Sequence, residues 1–556
     1  MIGSRSLEER AQALLERIAP FISSKHGVSS MAYSIYDTAW ASMVVKQENR
    51  RSRWAFPECF EFILRSQNNA GGWSSFTDPI PHNFYPDHVV IPDILVHTLA
   101  ALLALCVHLR DKDKVESTIP EDISERIERG RVYAQQTLER WNVSQTSHFE
   151  FQLLIPTTLG LLSSEGVVFD FPGKTLLYDL HKLALAMDVE WLYTEKNEVP
   201  LFSIEGWLAK LDFTRLTHQV STEGIGASPA STAAYLIYGP EWSTECEEYL
   251  QNCIQHAAGS DRGGVPGIWP LTLFEPCWVL TTLFDGGFSL SDLGYQRVET
   301  IVDFLVHHHN SRGGVSSASP CWTPDADDSG RTLTALYLAG RTPSPMALVH
   351  RFEKKSHFQT FNGRIPSVIP SVSVHANILS GLLLSPEAVK LTLQIVKCAQ
   401  VLCNSWKDGE KISDHWNISE YYAILHLTLG LVRLHDTLST NIFDQSTSKR
   451  LIDLTVPLLP KVLSYIVDNQ NTDGSWGDRG SYEETAYAVI ALAKLAKLGP
   501  LNNHERVNST IDLGKQFITK WQQPDPRDRV WTGKIMHASL FIQEAYVLAA
   551  LRACSV

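Results

Sequence analysis

The spacing of apolar residues constrains this chain most: they recur at three- and four-residue steps and seldom alternate. From Glu483 to Leu498, the residues Ala486, Val489, Ile490, Leu492, Leu495 and Leu498 keep that step, and Gly499-Pro500 ends the run. That pattern is one face of a helix followed by a stop signal. Phe541 to Ala553 repeats it. Gly-Gly pairs at Gly71-Gly72, Gly263-Gly264, Gly286-Gly287 and Gly313-Gly314 fall between such stretches, as turns joining helices would. The pattern predicts an all-α chain. Its 556 residues exceed the roughly 250–300 that one core accommodates, so two domains are expected.

A weak internal repeat fits this picture. Gln67-Asn-Asn-Ala-Gly71-Gly-Trp73 and Gln470-Asn-Thr-Asp-Gly474-Ser-Trp476 share QxxxGxW, and His309–Val315 is a degenerate third copy. In such a unit glycine permits a tight turn, glutamine bonds backbone groups at a helix end, and tryptophan packs on the next helix. Stacked helical hairpins, each burying one side on its neighbours, would use units of this kind.

The charge balance, 48 Lys+Arg against 61 Asp+Glu for a net −13, argues against a nucleic-acid partner, which needs a basic surface. Nine cysteines are scattered, with no CxxC pair. Neither a disulfide framework nor a zinc knuckle is indicated, and a reducing, cytoplasmic setting is expected. The N-terminal stretch is an amphipathic, charged helix and not a signal peptide. The longest apolar run, Leu99 to Val107, falls short of the ~20 residues of a membrane span, so a soluble protein is expected.

The main chemical clue is Asp325-Ala326-Asp327-Asp328, preceded by Trp322-Thr323-Pro324. Two readings stand side by side. In one, Thr323 is an N-cap, Pro324 the first helical residue, and the acidic residues merely favour the helix dipole. In the other, three crowded carboxyls in a dry site cannot all ionise, so one proton is retained near neutral pH and faces an apolar substrate. Trp322, Trp416, Tyr421 and Tyr422 could offer ring faces to a passing cation, or could simply pack the core. His307-His308-His309 points three ways on a helix and makes a poor metal tract. No phosphate-binding glycine loop, GxSxG or HExxH is present.

Several segments together resemble class II diterpene cyclases of the copalyl diphosphate synthase type. Ser34-Ile-Tyr-Asp-Thr-Ala-Trp40 resembles the family's SxYDTAW, and Ser228-Pro-Ala-Ser-Thr-Ala233 its SPASTA. Gly264–Glu275 resembles GVPNVYPVDLFE, the acidic run its DxDD. Asp473–Gly477, Glu483–Tyr487 and Trp531-Thr-Gly-Lys534 follow in family order.

The resemblance implies two α/α-barrel domains: a β domain from residues 1–45 and 265–556 carrying the DxDD run, and an inserted γ domain from 46–264, with the active site between them. It implies Asp327 as the general acid, tuned and oriented by Asp325 and Asp328. It further implies a prenyl diphosphate substrate, geranylgeranyl diphosphate, cyclised to copalyl diphosphate with the diphosphate retained and Mg2+ assisting. Arg331 and Arg364 are candidate diphosphate partners; metal ligands are unassigned.

Two departures concern the terminating base. The plant PNV motif reads Pro266-Gly267-Ile268, and LHS reads Leu201-Phe202-Ser203, so the plant Asn and His are both missing. No DDxxD or NSE cluster marks an ionisation-type domain. Fusion to a prenyltransferase or class I domain in a longer chain is an expectation from fungal relatives. The competing functions are a class II cyclase of farnesyl diphosphate or squalene, and a non-catalytic helical toroid that serves as an interaction module.

Overall fold

The computed structural model describes residues 6–19, 22, 27, 29–48, 51–74, 87–116, 119–146, 148, 150–196, 199–257, 263–318, 322–361, 370–498 and 504–555. Helix makes up 63% and strand 5%, so the all-α expectation is met. The described strands pair only as short two-stranded ribbons.

The chain divides into two compact units. One comprises Met1–Ser23, Thr272–Pro524 and Phe541–Val556; the other comprises Ser24–Leu271 and Asp525–Leu540. The seams differ from the expected 1–45 plus 265–556 against 46–264. Residues 24–45 group with the middle of the chain because the Ile35–Ser42 helix packs on Pro57–Arg65, Asp87–Arg110 and Pro229–Tyr238. Residues 525–540 join them through the Met31–Ser539 bridge and the Lys534 cluster described below.

In the first unit, inner helices follow one another around a core. Phe274–Gly286 packs on Ala326–Leu338, which packs on Val372–Leu384, then Glu420–Ser439, then Tyr482–Leu495. Leu540–Ala553 completes the succession. Its Tyr546 meets Tyr487 edge-on at 4.6 Å, and its Ala549 approaches Gly286, where a Cβ would lie 2.6 Å from the Ala549 Cα. These helices are buried nearly all round, whereas outer helices such as Gln445–Thr455 bury only Leu451 and Thr455. Inner helices without a polar face and outer helices with one are what an α/α barrel requires.

The second unit is built on the apolar Asp87–Arg110 helix, flanked by Ile123–Arg140 and Phe151–Ser164. That helix is long and apolar enough to cross a membrane by length and composition, yet its most apolar window is wholly buried within the unit. The Trp531-Thr-Gly-Lys534 segment returns here. Lys534 Nζ lies 3.0 Å from Asp37 Oδ1 and 3.1 Å from Glu205 Oε1 and donates to Ser228 Oγ, and the three charged side chains are fully buried. Ser34 donates to Asp37 and Ser231 to Glu205. Three sequence motifs far apart in the chain thus converge on one buried lysine.

The QxxxGxW copies do the same work in both units. Gln67 Nε2 donates to the Gly71 and Arg126 carbonyls, and Gln470 Nε2 to those of Gly474 and Thr510. The indoles of Trp73 and Trp476 each donate over 2.8 Å, to Ile63 and Ile466 carbonyls. The backbone N–H of each tryptophan bonds a threonine hydroxyl on a following inner helix, Thr98 or Thr485. In the degenerate copy, Val315 N–H bonds Ser329 Oγ in the same manner.

Candidate functional site

The third copy of that turn places the acidic run. Ser329 receives Val315 N–H as Thr485 receives that of Trp476, so Asp325-Ala326-Asp327-Asp328 occupies the same inner-helix start as Ser481-Tyr482-Glu483-Glu484. Asp325 caps its helix by accepting Asp328 N–H at 2.8 Å, as Ser481 accepts Glu484 N–H. The helix therefore starts at Ala326, and Thr323 is not its cap. Asp325 is extended (φ −117°, ψ 165°), and its own N–H goes to the Val315 carbonyl. A carboxylate at this position outcompetes the threonine two residues earlier.

Burial, which sequence could not supply, is met at all three carboxyls: Asp325 is 3% exposed, Asp327 7% and Asp328 4%. Burial raises the Asp327 carboxyl to about 8. The Asn377 hydrogen bond and Arg331 oppose the rise, and the charges of Asp325 and Asp414 add to it. The helix dipole favours the anion, but desolvation is the larger effect. Asp328 is also pushed well above the usual carboxylate range by burial and by Asp325 and Asp327, and one of its oxygens is buried without a hydrogen-bond partner. Asp325 is raised less, to about 6, because backbone N–H groups of Asp328 and Ser317 stabilise its anion.

Asn377, on the Val372–Leu384 helix, was not singled out in the sequence. Its Nδ2 donates to Asp327 Oδ1 over 2.7 Å, which leaves the retained proton to the other oxygen. Asp414 anchors the start of that helix by accepting from Ser371 Oγ, Ser373 N and Ser373 Oγ at 2.9–3.1 Å. No local pattern marks Asn377 or Asp414; only helix-to-helix packing brings them in.

The other candidates separate. Tyr422 is fully buried, its hydroxyl feels the Asp327 charge, and its ring lies 4.4 Å from His426 and 5.6 Å from Tyr487. Tyr487 continues to Tyr546. Tyr421, next along the same helix, faces the other way, with Glu420, Tyr465, Glu484 and Asp478 as its charged or polar neighbours. Trp322 is buried three residues before Asp325. Trp416 is half-buried; its N–H bonds Asp414 and its ring meets Phe361 edge-on.

Arg331 is not free for a diphosphate. It is 2% exposed and gives Nη1 to Asp285 at 3.1 Å and Nη2 to Thr282 at 2.9 Å. Arg364 lies outside the described residues. The histidine tract divides as a helix dictates, with His307 exposed, His308 half-buried and His309 buried.

Among the described residues no group of three or more His, Cys, Asp and Glu is arranged to hold a metal ion. The acidic trio does not fit one either, since burial keeps protons on Asp327 and Asp328 at neutral pH.

No known protein-family profile matches the chain. It is 34% identical over 554 residues to a copalyl diphosphate synthase of Talaromyces verruculosus, covering 98% of this chain and 55% of that protein. A pimaradiene synthase of Emericella nidulans is 32% identical, with 94% and 53% covered. A bifunctional ent-kaurene synthase of Gibberella fujikuroi is 31% identical, with 98% and 56% covered. The chain spans about half the length of these curated relatives. Among solved structures, the ent-copalyl diphosphate synthase of Streptomyces platensis superposes with a TM-score of 0.74 at 24% identity, covering 99% of this chain and 100% of that one. The Arabidopsis thaliana ent-copalyl diphosphate synthase gives 0.58 at 16%, with 99% and 98% covered. The fold is the α-helical barrel didomain of class II terpene cyclases, and the chain resembles those cyclases of the copalyl diphosphate synthase type.

Proposed function

We propose that this chain is a class II diterpene cyclase that converts geranylgeranyl diphosphate to copalyl diphosphate. The observation that carries the reading is Asp327, a buried carboxyl raised to about 8 and held by Asn377. A carboxyl that keeps its proton at neutral pH can give it to an alkene.

In the proposed reaction the Asp327 O–H bond breaks and a C–H bond forms at the terminal alkene. The resulting cation is attacked by successive double bonds to close two rings, and loss of a proton ends the sequence with the diphosphate intact. Asn377 fixes one oxygen of the acid as an acceptor. The charge of Asp325 resists its ionisation, and Asp328, itself held protonated by burial, adds none. Tyr422, beside Asp327, and the adjoining Tyr487 supply aromatic faces suited to a nearby cation. Mg2+ belongs to this reading as the counter-ion of the diphosphate, which it would neutralise, and not as a ligand of the acidic run.

The names of the relatives support a diterpene substrate over farnesyl diphosphate or squalene. Their greater length and the bifunctional member support a cyclase segment joined to a prenyltransferase or class I domain. Cytoplasmic residence goes with the free thiols of the described cysteines.

The test is incubation with geranylgeranyl diphosphate and magnesium, dephosphorylation, and identification of the alcohol formed, with farnesyl diphosphate and squalene in parallel. Copalol from wild type and none from Asp327→Ala are expected. Absence of any cyclised product, or full activity in Asp327→Ala, would overturn the reading and favour a non-catalytic toroid.

A further inference from the structure

One turn after the acid, the barrel interior holds more positive than negative charge. Arg331 follows Asp327 by four residues on one helix, and so lies on the same face. Its guanidinium gives Nη1 to Asp285 and Nη2 to Thr282 and lies 5.3 Å over Trp278. Asp285 is not Arg331's alone: its other oxygen takes Arg433 Nη2 at 3.1 Å. Two arginines share one carboxylate, and Asp285 and Arg331 are almost wholly buried. A single ion pair would be neutral, whereas this triad carries a surplus positive charge where solvent screens it little.

We propose that Asp285, Arg331 and Arg433 are positioning residues that set the acid strength of Asp327, the surplus charge making it a stronger acid than burial alone would leave it. The idea rests on the function proposed above. It also explains why a bulky charged arginine occupies the inside of a barrel whose other inner positions are mostly apolar.

Other groups facing Asp327 do not supply this charge. Asp325, at the start of its helix, and Asp414 act in the opposite sense, and Asp328 is held protonated by burial. From the Phe274–Gly286 helix Cys277 is held neutral by burial, at about 11. From Glu420–Ser439, burial holds Tyr422 and His426 neutral. Val372–Leu384 offers Asn377, which is uncharged, and His375, lowered to about 4 by burial. Tyr487 and Tyr546 are likewise neutral phenols, and Glu483 accepts from Tyr487. Lys494 lies on the Asp285–Arg433 side and adds to the same surplus, though burial lowers it.

The two partners of one ion pair should therefore act in opposite directions, which a purely structural role would not produce. Arg331→Met removes positive charge; the alkaline limb of kcat should move to higher pH, with kcat down about tenfold or more, since an adjacent arginine lowers an aspartate pKa by about 1–3. Asp285→Asn leaves both arginines uncompensated; the limb should move to lower pH. Arg331→Lys should stay close to wild type. If Arg331→Met does not fold by circular dichroism, Arg433→Gln, at a more exposed position, should give a smaller rise.

The same titration is read without turnover, from the Asp327 carboxyl band in infrared difference spectra against Asp327→Asn. Opposite shifts there would support the triad's role even if geranylgeranyl diphosphate proved not to be the substrate. Shifts in the same direction, or none, in folded variants would overturn it while leaving the cyclase reading intact.

Discussion

The amide of Asn377 donates to Oδ1 of Asp327 over 2.7 Å, across two helices and 50 residues of sequence. This bond fixes one oxygen of the Asp327 carboxyl and at the same time favours its anion. Asn377→Ala should leave a carboxyl that is harder to ionise and free to rotate. Steady-state assays with geranylgeranyl diphosphate should show kcat down about 10²-fold, within the range a positioned acid contributes, and an alkaline limb at higher pH. An unchanged pH profile would count against the bond.

If Asp327 is the proton donor as proposed, activity should fall as pH rises through about 8, where burial places its titration. Asp327→Asn should be inactive across the whole range. Rates measured from pH 6 to 9.5 check this, and a profile flat past pH 9 would contradict the assignment of the acid.

The same carboxyl bears on stability. Its folded value lies above the ordinary 3.8, so the folded state holds a proton that the unfolded chain releases. Stability should therefore decline between about pH 4 and pH 8. Asp327→Asn removes this dependence at one site. Its melting temperature should match wild type near pH 4 and exceed it increasingly toward pH 8, and scanning calorimetry at several pH values decides.

Lys534 is enclosed with Asp37 and Glu205. Burial opposes its charge, but the two carboxylates outweigh that and raise its pKa. Lys534→Met leaves two buried acids facing each other without a cation. A loss of about 3–5 kcal/mol is expected in urea unfolding, with the unit containing Ile35–Ser42 unfolding first.

Gly71 and Gly474 should be equally intolerant of a side chain. Their φ values are +100° and +90°, and a Cβ would lie 2.7 Å from the Arg129 carbonyl oxygen and 2.6 Å from that of Leu513. Each Gly→Ala should cost more than about 1 kcal/mol in thermal or urea unfolding, since strain and clash add. A clear difference between the two would argue that the turns are not equivalent.

Local information in the sequence determined the helices, the turns and the repeat. Apolar steps of three and four fix a helix over a few residues, and QxxxGxW closes its turn through its own Gln, Gly and Trp. The acidic run was visible for the same reason, but its meaning was not. Burial of Asp327, the Asn377 bond and the choice of Asp285 over a diphosphate as the partner of Arg331 depend on residues about 50 positions away. The grouping of Lys534 with Asp37 spans almost the whole chain. A proton is retained only where desolvation outweighs a helix dipole, and desolvation belongs to packed helices, not to a segment. The sequence by itself set which residues could act; the tertiary structure decided that Asp327 is dry, that Arg331 is paired with Asp285, and that Tyr422 and not Tyr421 stands beside Asp327.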